Sequence, residues 1–353
     1  MKKFSVSVAG IAAATLVSGC GQKGASFSLL PSEANFQQSG LTKNKIDILW
    51  VVDNSGSMES SQQNLAVNMR RFVDIFNARG FDYSMAVTTS DAYKAQFGSG
   101  AAQSKFRDGT DDTSHTGYFV VNRGTPDLEN VFGINVLQGI WGSGDERSFQ
   151  SFRAALSNPM NAGFPRAGAF LAVIILSDED DYSHDGSDSR AGQYSYSGMH
   201  TIASYVSYLD GLTGATADTR ASRYSVNAIS IMDQACLNEL NATSPGRRIG
   251  VRYQELATAT NGIVGSLCGD FGSTLSTISA YILNSVTEFF LTRIPNVSTI
   301  RVTIENVSVP MITDPSGNGF IYHSDRNSIT FHGTFKPGPS ESVKITFDPT
   351  TIM

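Results

Sequence analysis

The chain has 353 residues, 41% of them hydrophobic and only 16% charged, with a net charge of −6. That length can bury a full core, as one large domain or a large domain with a small one, which excludes a disordered tail. Charge this sparse and net acidic offers no basic face for a phosphate backbone, so nucleic acid is excluded as a partner.

The opening stretch MKKFSVSVAGIAAATLVSGC starts with Lys2 and Lys3, runs through a short apolar core from Val6 to Val17 and ends Ser18-Gly19-Cys20. This is the plan of an export signal, too short to span a bilayer. Small residues before a cysteine resemble a bacterial lipobox, which implies removal of residues 1–19 and acylation of Cys20. An ordinary cleaved signal with an incidental cysteine is the alternative. Loss of Lys2 and Lys3 with the leader takes the net charge from −6 to −8, so membrane attachment rests on acyl chains and not on headgroup electrostatics. Gly21 in place of an Asp implies the outer membrane, by the sorting rule of well-studied Gram-negative bacteria, with the protein facing the periplasm or the cell surface. Residues 20–43 are rich in Ser, Gly, Gln and Asn without sustained periodicity and read as a tether.

From residue 44 onward strand and helix signals alternate. KIDILWVVD, Lys45 to Asp53, is a nearly continuous β-branched and aromatic run, the composition of a central parallel strand buried on both faces. Leu65, Met69, Phe72 and Phe76 then fall on one helical face, with Gly80 as the stop. FDYSMAVTTS reads as a second strand and YFVVNRG as a third, separated by a polar, Gly-rich insertion at residues 91–118. Insertions of that length are functional or disordered, and this one follows a strand end, where it would shape a binding surface. Helical character returns in DERSFQSFRAAL, and GAFLAVIILSDEDD is the clearest buried strand of the chain. Helix-like MHTIASYVSYLDGL, the strand RYSVNAISIM and the helices VRYQELATAT and GSTLSTISAYILNSVTEFFL complete the pattern. The alternation predicts an α/β fold over residues 44–294, a doubly wound, mostly parallel sheet flanked by helices. Over residues 295–353, STIRVTIENVSVPM, GFIYHSD, SITFHGTF and SVKITFDP alternate as strands between Pro, Gly and Asn turns and predict a small all-β module.

In a doubly wound sheet the carboxyl ends of the strands line the binding crevice. Two acidic clusters fall there: Asp53-Asn54-Ser55-Gly56-Ser57 after the first strand, and Asp178-Glu179-Asp180-Asp181 after LAVIILS. A carboxylate and two hydroxyls on one turn, facing a second carboxylate, supply hard oxygen ligands that suit Mg²⁺, Mn²⁺ or Ca²⁺ and not Zn²⁺. Gly56 is expected to let the turn curl until Ser55 and Ser57 face one point. Asp180, Asp181, Ser183 and Asp185 lack the spacing of a calcium-binding loop and read as a solvated acidic turn.

Asp53-x-Ser55-x-Ser57 after a hydrophobic strand, followed by Met58 and matched by an Asp closing a later strand, resembles the metal-ion-dependent adhesion site (MIDAS) of von Willebrand factor A (VWA) domains. The triplet alone is weak, and its place at a strand end beside a second carboxylate is what makes it specific. The resemblance covers Lys45 to Leu291, and GFPRAGAFLAVIILSDEDDYS with LATATNGIVGSLC is similar to bacterial VWA-domain lipoproteins. It implies direct metal ligation by Ser55 and Ser57, by Asp53 directly or through water, and by Asp178 through water. The implied ion is Mg²⁺, with Mn²⁺ or Ca²⁺ as alternatives. The family's threonine ligand, just before a helix, has no counterpart here. Counting back from the helix in GSGDERSFQSF, Ser143 holds the equivalent place, with Asp145 or Glu146 as substitutes. An acid there would leave the metal a poorer electrophile. An ion held mainly by hydroxyls and water accepts a partner's Asp or Glu as its missing ligand. The implied function is therefore metal-dependent adhesion or protein binding, toward a protein or cell-envelope ligand that offers a carboxylate. The alternatives are an ion that only braces the loops, a periplasmic scaffold for envelope assembly, or a metal-dependent hydrolase.

With Cys20 assigned to lipid, Cys236 and Cys268 remain, and in an exported chain the pair reads as a disulfide, with two free buried thiols as the alternative. The five histidines are scattered and form no zinc-type pair. No nucleophile elbow, P-loop or dinucleotide fingerprint occurs, so no enzyme activity is expected.

Overall fold

The computed structural model describes residues 45–350 apart from residues 79, 99, 244, 292, 339 and 340, together with the backbone of Ser32–Gln37. Cys20, the leader at residues 1–19 and the rest of the 20–43 tether lie outside the described residues. Within that tether, β1 (Ser32–Gln37) is a strand.

β2 (Lys45–Val52) shows why its sequence is apolar throughout. Ile46, Ile48, Trp50 and Val52 enter one hydrophobic core, and Leu49 and Val51 enter another on the opposite face. A strand covered on both sides has no solvent face to mark with polar residues. α1 (Glu59–Ala78) lays Leu65, Met69, Phe72 and Phe76 on the first of these cores, where Trp50 meets Phe72 edge to face at 5.3 Å between ring centroids. β3 (Asp82–Thr89) pairs beside β2 in parallel.

The insertion after β3 is an ordered structure packed on the domain. It folds into two 3-10 turns, Ala92–Phe97 and Ala101–Ser104, and a short hairpin of β4 (Gly109–Thr110) and β5 (Ser114–His115). Phe106 is buried at the centre of this segment, and the Asn161 side chain accepts from Phe106 N–H at 3.0 Å and donates to Ser104 O at 2.9 Å. The chain continues through β6 (Val120–Asn122), α2 (Leu128–Val136), α3 (Ser148–Ser157), β7 (Phe170–Leu176), α4 (Ile202–Thr213) and β8 (Tyr224–Ser230). α5 (Gln234–Asn241), α6 (Val251–Ala259), β9 (Val264–Ser266) and α7 (Phe271–Thr287) complete the domain.

The main sheet has the order β6-β3-β2-β7-β8-β9, parallel except for β6 at one edge. α1, α2 and α7 cover one face, and α3, α4 and α6 cover the other. This is the doubly wound α/β layout expected from the alternation of signals. The chain leaves β2 for α1 on one face and leaves β7 for α4 on the other, so the carboxyl ends of these neighbouring strands form the topological switch point.

The small β region follows α7 directly. β10 (Phe289–Phe290), β11 (Arg301–Ile304), β12 (Val307–Val309), β13 (Gly319–His323), β14 (Ser328–His332) and β15 (Ser342–Phe347) form antiparallel sheets ordered β1-β15-β11-β12 and β10-β14-β13. A third core, including Phe289, Val302, Phe320, Phe331 and Ile345, belongs to these sheets alone. Cys236 and Cys268 are joined as a disulfide, which ties α5 to the segment after β9.

Candidate metal centre

The ladder of β2 runs one residue past the strand, with Asp53 N–H donating to Leu176 O at 2.9 Å. Asp53 therefore leaves the sheet at the switch point, fully buried. One carboxylate oxygen accepts from Ser55 N–H at 2.8 Å, closing an Asx turn, and the other accepts from the Ser177 hydroxyl at 2.6 Å. The turn brings the Ser55 and Ser57 hydroxyl oxygens within 3.4 Å of each other, and Ser57 donates to Asp178 Oδ1 at 3.0 Å. Asp53, Ser55, Ser57 and Asp178 thus form one connected group, drawn from the ends of β2 and β7.

The glycine that this arrangement requires is not Gly56. Its φ lies outside the left-handed region, and a Cβ there would meet only Ile140 O, at 3.9 Å. Gly142 is the constrained position: its N–H donates to Asn54 O at 2.7 Å, and a Cβ would fall 2.6 Å from that same oxygen. The loop between α2 and α3 can lie against the Asp53 turn only because residue 142 has no side chain. Gln62, in the first turn of α1, clamps the two loops by donating to Asp53 O at 2.8 Å and Gly139 O at 2.9 Å while accepting from Gln138 N–H at 2.8 Å.

That second loop carries the three residues considered for the missing ligand, and they have different surroundings. The Ser143 hydroxyl accepts from Asp145 N–H at 3.1 Å, and Ser143 N–H donates to Asp91 at 3.2 Å, toward the insertion. Asp145 is held by the fully buried Arg147, which reaches Asp145 Oδ2 at 2.7 and 3.0 Å and also donates to the carbonyls of His184, Gly186 and Asp188. Glu146 is fully buried, and neither of its carboxylate oxygens has a hydrogen-bond partner. The Ser90 hydroxyl, which donates to Asn54 Oδ1 at 3.2 Å, lies near enough to offset part of the upward push on Glu146.

The electrostatics of the group point the same way. Burial, then the charge of Asp178, pushes Asp53 up to about 7, against the hydrogen bonds from Ser177 and Ser55. Burial and then the charge of Asp53 push Glu146 well above the carboxylate range. Glu179, half-buried beside them, is pushed up to about 8 by burial and by the charges of Asp53 and Asp178. So many acids cannot stay ionised together without a cation among them. Two arginines of the loop between α5 and α6 supply positive charge: Arg247 donates through Nε to Asp178 Oδ2 at 2.6 Å and through Nη1 to Leu240 O at 2.7 Å, and the charge of Arg248 acts on Glu179.

These residues fit a divalent ion, because an unpartnered buried carboxylate beside Asp53 and two adjacent hydroxyls are hard oxygen donors. Among the described residues no three His, Cys, Asp or Glu side chains stand close enough to share one ion. Hydroxyls must therefore supply part of the shell, with some of the acids acting through water.

The neighbouring Asp180 and Asp181 are not the solvated turn expected from their spacing. Both are buried, because they cap helices. Asp181 accepts from Phe149 N–H at 3.0 Å at the start of α3, Asp180 accepts from Arg252 N–H at 3.0 Å at the start of α6, and Arg252 pairs with Asp181. Asp185 is exposed and meets His200. Sequence reasoning missed Arg247, which no motif marks, and Gly142, whose only signal was its place in a Gly-rich loop.

No protein-family model matches the chain, and neither does any curated protein. Among solved structures it is similar to the pilus adhesin SpaC of Lactobacillus rhamnosus GG in an open conformation, with 13% identity over 86% of this chain and 38% of that one and a TM-score of 0.42. It is also similar to the pilus adhesin RrgA of Streptococcus pneumoniae (10% identity, 89% of this chain, 57% of that one, TM-score 0.35). A third is proximal thread matrix protein 1 of the mussel byssus (12% identity, 71% of this chain, 50% of that one, TM-score 0.35). The chain spans less than two thirds of the length of each.

Proposed function

We propose that this protein is a divalent-cation-dependent protein-binding module of the bacterial envelope, anchored to the outer membrane through Cys20. The ion is held by Ser55 and Ser57 with Asp53 and Asp178, and an Asp or Glu side chain of the partner enters as a further ligand. The observation that carries this reading is the convergence of those four residues at the switch point of the sheet, beside the loop that carries Glu146, a buried carboxylate whose oxygens have no hydrogen-bond partner among the described residues. Binding of this kind needs no bond making or breaking. A contact surface adjoins the site: Trp141 is 85% exposed and precedes Gly142 on the loop that packs against the Asp53 turn. Tryptophan is enriched among the residues that carry binding energy in protein interfaces.

The test is uptake of Mg²⁺, Mn²⁺ and Ca²⁺ by the protein in calorimetric titration, followed by capture of envelope proteins with and without EDTA. Uptake is expected in the wild type and not in Asp53→Ala, with capture lost in EDTA and in the variant. Capture that survives both would refute the metal-dependent reading.

A further inference from the structure

We propose that Glu146 is itself a direct ligand of the ion, in the place that a neutral hydroxyl would otherwise take, and that it turns the site toward Ca²⁺. The inference rests on the metal-site reading above and concerns which side chain completes the shell. Three observations carry it. Glu146 is completely excluded from solvent, yet among the described residues neither of its carboxylate oxygens makes a hydrogen bond, so both are open to a further partner. Its loop is held against the Asp53 turn, through Gly142 N–H to Asn54 O at 2.7 Å and through Gln62, which donates to both Asp53 O and Gly139 O. The two other candidates from its loop are engaged elsewhere, Ser143 with Asp145 and Asp91, and Asp145 with Arg147 and Arg190 N–H.

The position of Glu146 is fixed from its backbone. Glu146 O accepts from Tyr182 N–H at 2.7 Å, which binds the loop to the segment after β7, and the neighbouring Arg147 is locked by five hydrogen bonds. A carboxylate held this way, with two free oxygens, can offer both to one ion, whereas a hydroxyl offers one. A higher oxygen count suits the larger and less demanding Ca²⁺ better than Mg²⁺, which keeps strict octahedral geometry. With Glu146 among its ligands, beside Asp53 and Asp178, an ion is more fully compensated by the protein than one held by hydroxyls and water. An ion so compensated draws an outside carboxylate less strongly, which makes Glu146 the residue that sets how tightly a partner's acid can bind.

The experiment titrates the full protein with Ca²⁺ and with Mg²⁺ separately by calorimetry, for wild type, Glu146→Gln, Glu146→Asp and Asp53→Ala, and records thermal unfolding of each in EDTA and in Ca²⁺. Wild type is expected to prefer Ca²⁺. Glu146→Gln should lose about 10- to 100-fold in Ca²⁺ affinity and most of that preference, and Glu146→Asp should keep part of both. In EDTA, Glu146→Gln should melt no lower than wild type, because the side chain keeps its size and gives up no hydrogen bond, and it should gain less on adding Ca²⁺. Unchanged titration in Glu146→Gln, with binding lost in Asp53→Ala, would overturn the role of Glu146 and leave the metal site standing. A Glu146→Gln variant that melts lower in EDTA with its Ca²⁺ affinity intact would assign Glu146 to folding alone. No uptake of either ion by the wild type would refute the metal site itself.

Discussion

At the scale of single residues, the candidate site depends on two positions outside the group of Asp53, Ser55, Ser57 and Asp178. Gly142 sets the approach of the second loop to the first, and a methyl group there would have to displace Asn54 O. Gly142→Ala is expected to cost about 1–3 kcal/mol in urea unfolding and to weaken divalent uptake, because the loop bearing Glu146 moves away from Ser55 and Ser57. Arg147 acts as an internal rivet whose guanidinium also lies 4.5 Å from the Tyr93 ring centroid. Arg147→Met should destabilise by about 3–5 kcal/mol, measured in the same way, because Asp145 is then buried without a counter-ion. The residues legible in the sequence were those whose spacing is local. Asp53, Ser55 and Ser57 lie on one turn, so their convergence follows from the chain direction alone. Glu146 was legible only as one of three residues for the missing ligand, and Arg247 not at all, because the packing of α3 against β2 and β3 and the course of the loop after α5 bring them near the turn.

At the scale of elements, long apolar runs such as β2 and β7 were read correctly because burial on both faces leaves an unmistakable composition. α2, α5 and β9 escaped notice. α2 is nine residues and mixes Gly133 and Asn135 into its pattern, α5 is eight, and β9 is three residues without a buried side chain. The insertion after β3 reads as polar and Gly-rich, yet it is ordered, since Asn158 and Asn161 satisfy its backbone at Ala101, Ser104 and Phe106. α5 is secured by its Asp233 cap, which accepts from Cys236 N–H at 2.9 Å, and by the disulfide to Cys268. The bridge closes a loop with a sequence separation of 32, so replacing both cysteines by serine should cost about 4 kcal/mol of stability. Urea unfolding of that variant, beside the oxidised and the reduced wild type, checks this. Equal midpoints for the oxidised and reduced protein would contradict it.

At the scale of the whole molecule, the α/β domain and the β region meet along α7. A cavity of about 250 Å³ lies in this seam, lined by Tyr281, Glu288, His323, Arg326 and His332. Arg326 Nε donates to Glu288 at 2.6 Å across the seam, and the Nε2 atoms of His323 and His332 flank the Thr330 hydroxyl at 2.8 and 2.9 Å. Burial, then Arg326, lowers the pKa of His323, and burial, then Lys336 and His323, lowers that of His332. Groups lowered in the folded state stabilise it above their ordinary value of 6.5 and withdraw that contribution as pH falls below it. Thermal unfolding at pH 7.5 and pH 5.5 should therefore show a loss of stability in acid that shrinks in His323→Gln/His332→Gln. The β region's strands were legible from their alternation, but its dependence on β1 was not, because SEANFQ gives no sign of the partner it finds some three hundred residues later. That partnership has a mechanical consequence. β1 pairs antiparallel with β15 along its whole length, from Ser32 opposite Phe347 to Gln37 opposite Ser342. A pull on the chain ahead of Ser32, resisted by the β region through β15, acts along β1 parallel to the strand axis. Its ladder bonds are then loaded together in shear and do not peel one by one, so the junction nearest the chain's N-terminal end is built to bear tension.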